Sequence, residues 1–62
     1  MKFLASINGY DICEYEPSEC EEYGYCWPTF GAFLTEGPER TPLDEECSMD
    51  NLSDLFEWCE YN

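Results

Sequence analysis

Fifteen carboxylate side chains stand against two cationic ones, Lys2 and Arg40, in a chain of 62 residues with a net charge of -13. Any fold must therefore leave nearly all of its acids without an internal ion-pair partner. The length allows one compact domain, residues 1–62, and no second module. A domain of this size hides only about 60 % of the surface its unfolded chain exposes, so stability is marginal. Hydrophobic residues make up 44 % of the chain and aromatic ones 18 %, which is more than a disordered acidic tail carries and is enough to drive folding.

Local signals give the order of elements. Residues 2 to 7 and 10 to 15 are strand-length segments joined by Asn8-Gly9, the dipeptide that best tolerates the positive φ values of a type I′ turn. A regular two-residue hairpin puts Phe3, Ala5, Ile7, Tyr10 and Ile12 on one face, the expected core side. Lys2, Leu4, Ser6, Asp11, Cys13 and Tyr15 fall on the other, a mixed face that allows partial cover on both sides of the sheet. Ser18 with Glu21 matches a capping box, with Gly24 as the stop of a short helix. Residues 25 to 35 are aromatic and β-prone but interrupted by Pro28 and Gly31, which predicts an edge or bulged strand over 29 to 35. Gly37, Pro38 and Pro42 mark a loop, and Thr41-Pro42-Leu43-Asp44 opens a helical turn with Pro42 where its missing N–H is harmless. From Ser48 to Tyr61, Leu52, Leu55, Phe56 and Cys59 recur at i, i+3, i+4 and i+7, the stripe of an amphipathic helix. The expected fold is α+β: a small antiparallel sheet, made of the N-terminal β-hairpin plus one further strand, packed against a C-terminal amphipathic helix.

The apolar stretch Phe3-Leu4-Ala5 is broken by Ser6, Asn8 and Gly9, too short for a secretory signal. No run approaches the roughly 18 apolar residues of a membrane span, and anionic lipid would repel the chain. The expectation is a cytoplasmic protein, in a host cytoplasm if viral, with no membrane role. Cys13, Cys20, Cys26, Cys47 and Cys59 are odd in number, which in a reducing compartment favours buried thiols, with a structural zinc site as the rival reading and an intramolecular disulfide as a further alternative. No C-x2-C pair and no His supports zinc, and no window has the EF-hand order of acids around a central Gly. Neither metal nor cofactor is expected.

The chain is not read as an enzyme, because it has no His, no nucleophile with a base and no Gly-rich phosphate loop. Nor does it bind nucleic acid itself, having two cations where a basic stripe is needed. Solubility of a small domain asks for a net charge of only about 2 to 8 in magnitude, and more adds self-repulsion. The excess points to function. At this mass the accessible surface scales to about 4,200 Å², or about 280 Å² per carboxylate, and about 140 Å² if they gather on one half. Duplex DNA presents one phosphate per roughly 110 Å² of its cylinder. The acids cluster in two groups, Glu14, Glu16, Glu19, Glu21 and Glu22, and Asp44, Glu45, Glu46, Asp50, Asp54, Glu57 and Glu60. All of these except Glu60 are the candidate partner-binding residues. Asp50, Asp54 and Glu57 are expected on one helix face, at spacings like those of backbone phosphates, although the macrodipole also favours acids at a helix start.

In size and charge the chain resembles the small acidic DNA-mimic proteins of bacteriophages that block restriction enzymes, CRISPR effectors, repair glycosylases or nucleases. The resemblance implies a non-enzymatic viral inhibitor, of anti-restriction or anti-CRISPR type, that occupies the nucleic-acid channel of a basic host protein. The alternative is a small regulatory adaptor that docks through exposed Trp27, Phe30 and Phe33, with the charge serving solubility.

Overall fold

Asn8 and Gly9 adopt φ of 51° and 85°, and this type I′ geometry folds β1 (Lys2–Ile7) back onto β2 (Tyr10–Glu14). The computed structural model describes residues 1–22, 24, 29–37 and 41–62. The expectations for Cys26, Trp27, Pro28, Pro38 and Arg40 fall outside these residues. After the hairpin come α1 (Pro17–Glu22), β3 (Phe30–Leu34), a 3-10 turn (Pro42–Asp44), β4 (Cys47–Met49) and α2 (Leu52–Tyr61). The four strands form one antiparallel sheet in the order β1-β2-β3-β4, so the α+β architecture with a C-terminal helix packed on the sheet is as expected.

Strand alternation sends neighbouring residues to opposite faces. Ile12 and Ala32 point to one side, where they are fully buried with Leu55 and Cys59 of α2. Cys13 and Phe33 point to the other, in a cluster with Tyr15 and with Cys20 of α1. The sheet is therefore covered on both faces, by the ten-residue α2 and by the six-residue α1. Burying one side chain such as Leu55 contributes about 2 kcal/mol, so a handful of such residues carries the stability.

Several expectations are corrected. β1 is not regular: Phe3 pairs with Cys13 while Ala5 pairs with Ile12, leaving Leu4 as an extra residue in a bulge. The bulge reverses the faces of the residues before it. Phe3 leaves the core side and is 56 % exposed, whereas Leu4 packs against the Ile12 cluster. The sheet has two strands beyond the hairpin, not one. β3 is consequently interior, not an edge, because β4 pairs along its far side through Gly31 with Ser48 and Ala32 with Cys47. Residues Ser48 and Met49 belong to that strand, so α2 begins at Leu52 and Asp50 precedes the helix. The N-cap is Asn51, whose side chain accepts from the Asp54 N–H at 3.1 Å. Ser18 lies inside α1, whose first bonds go to the Glu16 carbonyl; the reciprocal bond runs from the Glu16 N–H to the Glu19 carboxylate, shifting the capping pair two residues back. Pro17 thus takes the first helical position, where no N–H is required. The Thr41 turn is as expected, with the Asp44 carboxylate accepting from the Thr41 N–H and its hydroxyl.

Two long-range features hold the layers. Gly31 lies directly under the Tyr15 ring: a Cβ there would come within 2.8 Å of Tyr15 Cζ, so only glycine admits the ring. At the other end, Asn8 Nδ2 donates to the Cys59 carbonyl at 2.9 Å, and the Tyr10 hydroxyl to the Asn62 carbonyl at 3.2 Å. With Asn62 Nδ2 on the Trp58 carbonyl, neutral donors reach two carbonyls of the last turn of α2.

Candidate functional site

Among the described residues, four carboxylates are engaged inside the fold by hydrogen bonds, and the exposed Glu16 lies 4.0 Å from the Met1 amino group. Asp11 is buried and accepts from the Ser6 and Thr35 hydroxyls. Asp44 serves the Thr41 cap. Glu45 accepts the hydroxyl of Tyr15, a ring that is 1 % exposed. Glu19 accepts from the Met1 amino group at 2.6 Å. Burial pushes Glu19 up, but the bonds from that ammonium and from the Glu16 N–H outweigh it and hold the carboxyl below its ordinary value. The same contact raises the Met1 amine, chiefly through its hydrogen bond to Glu19 and against burial.

The candidate residues of the first acidic group split accordingly. Glu14 is a half-buried strand residue opposite Lys2 and Phe30, and Glu19 is the anchor of the amino terminus. Glu16, Glu21 and Glu22 are exposed around α1. In the second group, Asp44 and Glu45 are half-buried and bonded, whereas Glu46, Asp50, Asp54 and Glu57 are exposed. Glu60, on the same helix, is exposed as well. Among the described residues, no hydrogen bond or ion pair engages the side chains of Glu46, Asp50, Asp54, Glu57 or Glu60.

The acids of α1 and those of α2 do not share a surface, although Glu45 of the second group reaches Tyr15 on the α1 side. α1 and α2 cover opposite faces of the sheet, so the acids are not gathered on one half. The accessible area of 4071 Å² gives about 270 Å² per carboxylate, close to the even-spread figure. The row on the second group is carried by α2, where Asp54, Glu57 and Glu60 follow at i, i+3 and i+6, opposite Leu55 and Cys59. Asp50 stands ahead of this row, just before the cap.

Asp54 sits in the first turn of α2, where the helix dipole favours an acid. Glu60 lies in the last turn, where the dipole disfavours it and no basic residue is present, and Glu57 sits mid-helix. Their position has no stabilising role in the helix. Sequence periodicity was sufficient to place Asp54 and Glu57 on the outer face; what it could not reveal was that Glu45 and Glu19 are engaged elsewhere.

Other chemistries find little here. Phe33, assigned to the docking aromatics, is 2 % exposed, because its ring packs edge-on against Tyr15 beneath α1. Phe30 is half-buried against the α2 cluster. Cys47 and Cys59 are free thiols, and burial first, then neighbouring Glu45 and Cys47 respectively, pushes each up, which keeps them protonated and weakly nucleophilic. Cys13, Cys20 and Cys59 are buried, as hydrophobic packing of small side chains requires. Among the described residues, no group of three or more Cys, Asp or Glu is placed to hold a metal ion, and no helix is long and apolar enough to cross a membrane. Among the described residues, a surface groove is lined by Gly9, Leu34, Thr35 and Glu36. Searches of protein-family models, of curated proteins and of solved structures find no match to this chain.

Proposed function

We propose that this protein is a non-enzymatic inhibitor that acts as a DNA mimic, presenting carboxylates to the basic nucleic-acid channel of a host protein such as a nuclease, restriction enzyme, CRISPR effector or repair enzyme. The observation that carries this reading is the run Glu46, Asp50, Asp54, Glu57 and Glu60: all exposed, unengaged among the described residues, and in part set against the helix dipole. Three of them, Asp54, Glu57 and Glu60, stand on α2, which fixes their spacing, so Arg and Lys of a partner meet them with little side-chain ordering. Asp44, Glu45 and Glu19 drop to a supporting role, since each is already bonded within the fold.

The test is the fivefold variant Glu46→Gln, Asp50→Asn, Asp54→Asn, Glu57→Gln and Glu60→Gln. It should fold at least as well as the parent, because self-repulsion falls. Immobilised parent protein should retain nucleic-acid-binding proteins from a host lysate, duplex DNA should elute them, and retention should fall steeply with salt. Equal retention by the neutralised variant at low salt, or indifference to DNA, would overturn the reading.

A further inference from the structure

Three residues stand in a row across the sheet beneath α2. Ile12 pairs with Ala32, and Ala32 pairs with Cys47. Directly opposed residues of antiparallel strands carry their side chains on one face, so the Cys47 thiol lies on the side where Ile12 and Ala32 are buried with Cys59 of α2. Cys47 packs against that cluster. β4 and α2 are in contact, and the two thiols are close enough for Cys47 to add to the effect of burial in pushing Cys59 up. Their exposures differ. Cys59 is fully buried, whereas Cys47 is partly exposed. One thiol can be met from solvent, and the other stands behind it.

We infer that Cys47 and Cys59 are a redox pair, closing to a disulfide that staples the C-terminal half of α2 to the first residue of β4. The oxidant is a small-molecule disulfide such as glutathione disulfide. The Cys47 thiolate attacks one of its sulfurs, the S–S bond breaks, and one glutathione leaves as thiolate and takes up a proton. Cys59, losing its own proton, then attacks the Cys47 sulfur of the mixed disulfide, and the second glutathione leaves. Two protein thiols become one disulfide while one disulfide becomes two thiols, so electrons and protons balance. Because burial holds both thiols in the protonated form, the exchange is slow. The bond closes a loop of eleven intervening residues, 48 to 58, which holds the β4–α2 connection and most of the helix. Closing it removes freedom from the unfolded chain and keeps α2 docked. The acids of α2 stay on its outer face, so the inference does not rest on the proposed inhibition.

The test is to incubate the reduced full chain with excess glutathione disulfide at about pH 8.5, where an ordinary thiol is half ionised, then block the remaining thiols and map the peptides. Cys47 should be found joined to Cys59, with glutathione retained on neither. The oxidised protein should melt about 10 °C higher, and amide exchange along α2 should slow. Cys59→Ala should stop at a glutathione adduct on Cys47 with no rise in melting temperature. Cys47→Ser, at a partly exposed site, should leave Cys59 unmodified. The inference is overturned if the parent also stops at the Cys47 adduct, or if Cys47 joins Cys13, Cys20 or Cys26 instead. It is equally overturned if the bond forms only in denatured protein, or if the bonded protein melts no higher than the reduced one.

Discussion

Under α2 the sheet is closed by hydrocarbon and thiol, with Leu55 and Cys59 seated on Ile12 and Ala32. Under α1 the closure is mixed: Cys13, Phe33 and Cys20 share their space with the buried Asp11 and with Tyr15, which is tied to Glu45 thirty residues away. The first side rests on burial and on neutral hydrogen bonds such as that of Asn8 to the Cys59 carbonyl, and its helix side-chain carboxylates bond to none of the described residues. The second recruits carboxylates as structural groups. Acidic residues that look equivalent in the sequence are thus of two kinds, and Asp54, Glu57 and Glu60 of α2 can be neutralised without touching the core.

Leu55→Ala should have the largest effect, since it removes a fully buried side chain and leaves a cavity: a loss of about 3 kcal/mol in urea unfolding, close to the whole stability of a domain this size. If the loss were under about 1 kcal/mol, the α2 side would not be the principal core. Gly31→Ala comes next, at about 2 kcal/mol, because the new methyl must displace the Tyr15 ring. An unchanged midpoint would mean that the α1 side is loosely packed. Tyr15→Phe keeps the ring and deletes its bond to Glu45, with an expected loss of about 1 kcal/mol. Glu57→Gln, on the other side, should leave stability equal or raise it by a few tenths of a kcal/mol; a loss comparable to that of Tyr15→Phe would abolish the distinction between the two kinds of acid. The smallest effect is in pH. The Met1 amine is raised above its ordinary value of 8.0, so its contribution is complete below that pH and is lost as pH rises through the folded value. Glu19 is lowered from 4.5, so its contribution is complete above that pH and is lost as pH falls through the folded value. The melting temperature of the parent should exceed that of Glu19→Gln only in the interval between, with the difference closing at both ends.

What could be read in advance was local. Asn8-Gly9 and Thr41-Pro42-Leu43-Asp44 state their own turn chemistry within four residues, and the helical period from Leu52 to Cys59 needs no partner to be recognised. What could not be read depends on distant chain. Cys47, Ser48 and Met49 have no strand signature and pair only because β3 offers them an edge; once they do, α2 must begin later and Asp50 is left outside it. The bulge at Leu4 is invisible to alternation, which is why Phe3 was expected inside. Exposure of Asp54 and Glu57 followed from helix geometry, but the engagement of Glu45 by Tyr15 and of Glu19 by Met1 rests on contacts that no spacing announces.

Asn8 works in two places, forming the turn with its backbone and holding the Cys59 carbonyl with its side chain across 51 residues. The two tasks belong to different moments of folding. A hairpin closes in about 1–10 μs from neighbouring residues, whereas the second bond must await the docking of α2. Asn8→Gly keeps a residue at ease with positive φ and deletes only the amide. Its expected signature is therefore kinetic: a refolding rate close to that of the parent, and an unfolding rate increased severalfold as the helix end is released early.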